Sequence, residues 1–148
     1  SPAWGASNGA GGLRLLLVDD NVDSARTLAM LLELSGHEVQ VVHGGAPALE
    51  AMQKGAPDCV LLDIGMPEMN GYEVARRLRS DHKFRGELVA LTGFGRDYDR
   101  EQAHLAGFDH YLVKPVDYQK LQLLLEQFAT AGSHKGASTQ DTSEGVAI

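Results

Sequence analysis

The stretch "CVLLDIGMPEMNGY", residues 59–72, decides the fold. Cys59 to Leu62 form a short, unbroken apolar run, the pattern of a strand covered on both faces. The run ends on a carboxylate, Asp63, and passes into a loop holding Gly65, Pro67 and Gly71. A lone Asp at a strand end is ordinarily a turn residue. Whether Asp63 is more than that depends on what the rest of the chain brings to the same edge.

Working outward, the hydrophobic period switches back and forth between strand and helix. Residues 13–18 are nearly continuous apolar sequence, and residues 19–35 carry Val22, Ala25, Leu28, Ala29 and Leu32 at helical spacing until Gly36 stops them. Residues 38–42 alternate, with Val39 and Val41 on one face, which predicts an edge strand followed by a short helix over 45–53. The strand at 58–62 precedes a helix over 71–80 with Val74, Ala75 and Leu78 inward. A strand at 88–91, a helix at 99–105, a strand at 111–113 and a closing helix with Tyr118, Leu121, Leu125 and Phe128 inward complete the pattern. Five such alternations predict an α/β fold: a three-layer sandwich with a five-stranded parallel sheet, because parallel strands need crossover helices.

Composition sets the outer bounds. At 148 residues the chain fits one domain, and 43% hydrophobic with 22% charged residues is ordinary for a globular protein. With 13 basic and 20 acidic residues the net charge is −7, which argues against direct nucleic-acid binding. A single cysteine excludes an intrachain disulfide, and Cys59 reads as a small buried hydrophobe. No apolar stretch approaches the roughly 20 residues of a membrane span, so this segment is not expected to insert in a membrane; it is expected to be cytoplasmic. Residues 1–12 ("SPAWGASNGAGG") read as a flexible linker, 13–130 as the folded domain and 131–148 as a disordered tail. Without an initiator Met or a signal pattern, the chain reads as a piece of something longer.

In open parallel sheets ligands sit beyond the carboxyl ends of the strands. There the sequence places Asp19 and Asp20 after the first strand, Asp63 after the third, Thr92 and Gly93 after the fourth, and Lys114 and Pro115 after the fifth. His43 and Gly44, after the second, suggest no chemistry. If the first and third strands are neighbours, three carboxylates converge, and like charges that close call for a cation. A hard divalent ion such as Mg²⁺, held by one or two carboxylates plus water, suits them. Carboxylate, metal, lysine and hydroxyl together suit a phosphoryl group, and an Asp can itself be the nucleophile. Each residue alone has a plainer reading: Asp19 and Asp20 as helix caps, Thr92 as a turn residue, Lys114 as a surface charge. Their joint placement at one sheet edge favours the site.

Carrying these residues, the chain resembles a response-regulator receiver domain of two-component signalling. The matching pieces are "LLLVDDN" (15–21), "VLLDIGMPEMNGYEV" (60–74), "ALTGFG" (90–95) and "FDHYLVKPVD" (108–117). The resemblance implies a flavodoxin-like strand order 2-1-3-4-5. It implies that Asp63 is the phosphoacceptor, fed from a histidine of a kinase or a histidine phosphotransfer domain. Asp19, Asp20, Asp63 and the Gly65 backbone carbonyl would hold Mg²⁺, with Asp20 direct and Asp19 mainly through water. Thr92 and Lys114 would bond the phosphoryl group, and Thr92 with Tyr111 would form the switch. A downstream protein would read the face of the fourth helix, fifth strand and fifth helix, and a cis Lys114–Pro115 bond is expected. Such a domain catalyses its own phosphorylation and dephosphorylation without being a turnover enzyme on an external substrate. Gly65 and Phe94 stand where the family tunes hydrolysis, and neither side chain positions a water. "ALTGFG" and "YLVKPVD" are similar to receivers at the C-terminus of hybrid sensor histidine kinases.

Three rival readings fit these residues less well. An aspartate-nucleophile phosphohydrolase of the haloacid dehalogenase type shares the Asp, Mg²⁺, Thr and Lys, but wants its two aspartates separated by one residue. A flavin-binding electron carrier needs a hydroxyl-rich phosphate loop where "DDNVDS" is acidic. A binding module that has lost phosphorylation would lack some of the residues that are all present here.

Overall fold

Aliphatic runs with no polar alternation need cover on both faces, and a central parallel sheet supplies it. The structure, a computed structural model, describes Trp4 and residues 12–93 and 100–137, the stretch 131–137 through its backbone alone. Strands β1 (Arg14–Val18), β2 (Glu38–Val42), β3 (Cys59–Asp63), β4 (Glu87–Gly93) and β5 (His110–Lys114) pair in parallel in the order β2-β1-β3-β4-β5. Leu17 lies between Val41 and Leu61, and Leu62 between Val18 and Ala90. All five residues of β3 are buried, whereas β2, at the edge, is half-buried throughout.

Helices α1 (Val22–Leu34), α2 (Gly45–Gln53), α3 (Gly71–Ser80) and α4 (Arg100–Ala106) make the four crossovers, and α5 (Tyr118–Ala137) follows β5. Alternate strand residues Leu16, Val18, Val60, Leu62, Leu88 and Ala90 join one apolar cluster with Ala48 and Met52 of α2, Val74, Ala75 and Leu78 of α3, and Ala103 and Ala106 of α4. Tyr72 and Phe108 meet edge to face within it, ring centres 6.2 Å apart. The intervening residues Leu15, Leu17, Leu61, Val89 and Leu91 are buried as well. The buried stripe of α1, Ala25, Ala29 and Leu32, belongs to a helix packed on β1 and β2. Each fully buried Leu or Val contributes about 1.5–3 kcal/mol, so this double-sided sheet is the main source of stability.

The chain divides into two compact units, one running through Asp117 with the sheet and α1–α4, the other beginning at Tyr118. In the second unit Leu121, Leu125 and Phe128 are buried at the helical spacing expected.

Element types and order match the sequence reading, and the differences have local causes. α1 starts at Val22 because Asn21 is its N-cap, its side chain accepting from Ser24 N–H at 2.9 Å, so the Asp19–Asp20 pair is not the cap. β3 begins at Cys59 because Asp58 is occupied at the strand entrance, its carboxylate accepting from Arg14 N–H at 2.8 Å. β4 runs on to Gly93, which puts Thr92 inside the strand, paired with Val113. α5 continues over 131–137, where a tail was expected. Gly132 and Gly136 weaken a helix by about 1 kcal/mol each, but propagating an existing helix is far easier than starting one. Trp4, within the expected linker, is buried and donates its indole N–H to the Gly55 carbonyl at 2.9 Å. The rest of the linker except Gly12, the position of Phe94, the first residue of the expected fourth helix, and residues 138–148 lie outside the described residues.

Candidate functional site

Parallel strands point their carboxyl ends the same way, so the residues that close β1, β3, β4 and β5 share one edge. Lys114, the last residue of β5, sets its Nζ 3.1 Å from Asp19 Oδ2 and 3.1 Å from Asp63 Oδ2. Each carboxylate spends its other oxygen on a backbone amide two residues on. Asp19 Oδ1 accepts from Asn21 N–H and Asp63 Oδ1 from Gly65 N–H, both at 2.9 Å. These Asx-type turns fix the carboxylates in place. Asp19 and Asp63 are 3% and 7% exposed, while Asp20 is exposed. The three can each offer an oxygen within 4.8 Å of the others.

The loop from β3 to α3 is held tightly. Asn70 caps α3, its side chain accepting from Glu73 N–H at 3.1 Å. Gly71 packs so close to the strand end that a Cβ there would stand 2.6 Å from Ile64 Cα and 2.9 Å from the Asp63 carbonyl. The glycine therefore lets the loop fold back under Asp63. Gly65 contributes its N–H to Asp63. The Lys114–Pro115 bond is cis, as expected.

The charges are unevenly held. Burial pushes the Asp19 carboxyl up from its ordinary range; the Asp63 charge adds to this, while the Asn21 N–H and Lys114 oppose it. Burial also works against the Lys114 ammonium, but the charge of Asp63 and the bond and charge of Asp19 outweigh it and hold Lys114 above its ordinary value. Three carboxylates against one ammonium leave the cluster short of positive charge. A small hard cation fits that donor set, all of it oxygen. Thr92 is buried, and its Oγ1 has no hydrogen-bond partner among the described residues. Leaving a buried hydroxyl unbonded costs about 1–3 kcal/mol. A cleft of about 410 Å³ opens beside Lys114, lined by Asp19, Ser24, Leu28, Leu91 and Val116.

Tyr111 lies on β5, paired with Ala90, and is 40% exposed. Arg100 donates to its hydroxyl at 3.3 Å. Two partnerships near the site went unread in the sequence. His43 closes β2 and its Nδ1–H donates to the Asp19 carbonyl at 2.9 Å, while Asp19 N–H donates to the Val42 carbonyl at 3.1 Å. The signal was the register: once Val18 pairs with Val42, the residues after them lie side by side. Arg100 carried no signal, since its partner lies on a strand that follows it in the chain.

Fold and site together define a doubly wound α/β protein with an acidic, lysine-bridged centre at the carboxyl edge of its sheet. The chain belongs to the response regulator receiver domain family, whose model matches residues 15–126. It is a receiver domain of two-component signalling. An uncharacterised 14.6 kDa protein of Leptolyngbya boryana is 38% identical over 120 residues, 79% of this chain and 90% of that one. Sensor protein GacS of Pseudomonas syringae is 36% identical over 73% of this chain, but the chain spans only 12% of GacS. Among solved structures, the receiver domain of sensor histidine kinase PA1611 from Pseudomonas aeruginosa, with a magnesium ion coordinated in its active-site cleft, is 30% identical. Its TM-score is 0.71, covering 80% of this chain and 98% of that one. The phosphohydrolase alternative gains no support from these relationships.

Proposed function

We propose that this receiver takes a phosphoryl group from a phosphohistidine onto Asp63, with Mg²⁺ held by Asp19, Asp20, Asp63 and the Gly65 carbonyl. The observation that carries the reading is Lys114, whose ammonium lies 3.1 Å from both buried carboxylates. An Asp63 oxygen attacks phosphorus, an O–P bond forms as the P–N bond breaks, and the electron pair leaves on the imidazole nitrogen. Lys114 stays protonated and turns its charge to the incoming oxygens. The Thr92 hydroxyl donates to one of them, gaining the partner it lacks among the described residues. Gly65 N–H holds the other carboxylate oxygen, so one Asp63 oxygen is aimed at the donor. Bound Mg²⁺ would neutralise charge on the transferring group.

The donor is a histidine kinase or a histidine phosphotransfer domain, a reading supported by the likeness to the PA1611 receiver. Donor and receiver are read as meeting in the cytoplasm. No described helix is long and apolar enough to cross a membrane. Thr92, drawn to the phosphoryl group, and Tyr111 form the switch, a shift between two arrangements that phosphorylation biases. A downstream protein then reads the surface around Tyr111, and a net charge of −7 suits a protein partner better than nucleic acid.

Incubation with Mg²⁺ and acetyl phosphate, followed by intact mass measurement, tests the assignment. One added phosphoryl group is expected, absent in Asp63→Asn. A mass gain that survives Asp63→Asn but vanishes in Asp19→Asn would overturn it.

A further inference from the structure

Tyr111 is a large aromatic side chain facing solvent, and a basic side chain meets it there. Arg100, the first residue of α4, donates from Nη2 to the Tyr111 hydroxyl at 3.3 Å, and its guanidinium carbon lies 5.7 Å from the ring centre. One contact takes the hydroxyl and the other takes the ring, so the guanidinium grips both parts of the side chain. We propose that Arg100 is a positioning residue that latches Tyr111 outward and thereby sets the balance between the resting and phosphorylated arrangements. The inference rests on the assignment of Tyr111 as part of the switch.

The register shows what the latch opposes. Tyr111 pairs with Ala90, and Thr92 lies two residues along on the same face of β4. Diagonal neighbours of this kind are within reach of an aromatic ring. Tyr111 therefore has a small neighbour beside it and the site threonine diagonal to it, and outward placement is not dictated by a bulky strand partner.

The C-terminal end of α4 is tied by backbone closure and by Arg79. There the Gly107 N–H closes on the Ala103 and His104 carbonyls, both at 3.1 Å. The Gly107 carbonyl in turn accepts from Arg79 Nε at 3.1 Å and Nη2 at 2.7 Å. Arg79 is further tied to the Asp109 carboxylate at 2.9 Å. At the N-terminal end, Arg100 makes an exposed cation–π contact of a kind worth about a two- to five-fold change in an equilibrium. Inward movement of Tyr111 breaks the Arg100 contacts and leaves those of Arg79 intact. A latch of that strength is strong enough to bias the resting state and weak enough to yield to a phosphoryl group.

The test uses the full chain as wild type, Arg100→Ala, Arg100→Lys and Tyr111→Phe. Tyr111 (or Phe) χ1 populations come from three-bond couplings without any phosphodonor. The affinity for beryllofluoride in Mg²⁺ is read by fluorine NMR. Arg100→Ala should raise the inward population about two- to five-fold and, by linkage, tighten beryllofluoride by a similar factor. Arg100→Lys keeps a cation over the ring and should fall between the two. Tyr111→Phe keeps the ring and loses the hydroxyl bond, so Arg100→Ala on that background should have a smaller effect. Unchanged χ1 populations in Arg100→Ala would overturn the latch. If the populations move but no variant binds beryllofluoride, the latch stands and the phosphoryl-accepting reading falls.

Discussion

Arg79 shows how much one side chain can organise away from the site. It sits on the inward side of α3, one residue after the buried Leu78, where a charged group needs full pairing. Besides the Gly107 carbonyl and Asp109, it donates to the Phe84 carbonyl at 3.0 Å and the Gly86 carbonyl at 2.8 Å, and lies 5.5 Å from the Phe84 ring centre. Arg79→Ala takes this donor from three carbonyls, while Asp109 keeps the Leu88 N–H at 2.9 Å, and should lower unfolding stability by about 2–4 kcal/mol. Arg79→Lys should recover only part, because an ammonium cannot span the fork. An unchanged urea midpoint for Arg79→Ala would contradict this account. Cys59 gives a second residue-scale prediction. Burial, foremost, and then the charges of Glu87, Asp109 and Asp58 push its thiol well above the ordinary range. The thiolate is the reactive form, so iodoacetamide at pH 8 should label Cys59 only in denaturant. Labelling of native protein within minutes would show that the strand opens locally.

At the scale of elements, the β3–α3 connection couples fold to site. Gly71 has no room for a side chain against Ile64 Cα and the Asp63 carbonyl. Gly71→Ala should therefore shift the backbone that carries Asp63, lowering stability by about 1–3 kcal/mol and slowing acetyl phosphate labelling as well. A variant destabilised but labelled at the wild-type rate would separate the loop from the chemistry. The same connection explains what the sequence made legible. The helical spacing of Val74, Ala75 and Leu78 identified α3, because hydrophobic period is a local signal. It also put Asp63 at a strand end. Whether β4 stopped at Leu91 or ran on to Gly93 was invisible, because the extra pairs with Val113 and Lys114 depend on a strand that follows later in the chain. His43 and Arg79 were missed for the same reason: their partners are carbonyls brought near by topology, and a carbonyl has no sequence signature. Asp19, Thr92 and Lys114 could be read because parallel strands order their ends without any tertiary detail.

For the whole molecule, the acidic centre trades stability for function. Asp19 has its carboxyl pushed up, first by burial, then by Asp63. A carboxyl raised in the folded state binds its proton there sooner than in the unfolded chain, so that group alone makes the fold more stable as pH falls through its folded value. Lys114 is raised too. Its contribution is complete below the ordinary lysine value of about 10.4 and fades as pH climbs through the folded value. At neutral pH Lys114 therefore supports the fold while the charge on Asp19 opposes it. Asp19→Asn removes that charge and keeps an oxygen to accept from Asn21 N–H, so in EDTA at pH 7 its melting temperature should exceed that of wild type. Mg²⁺ should reverse the order. A ligand that binds only the folded state adds about 2.7 kcal/mol at a hundred times its Kd, and the variant, lacking one carboxylate, should gain much less. Calorimetry of both proteins in EDTA and in saturating Mg²⁺ decides the matter. A variant less stable than wild type in EDTA, or one that gains as much from Mg²⁺, would mean that Asp19 is held for structure rather than for a cation.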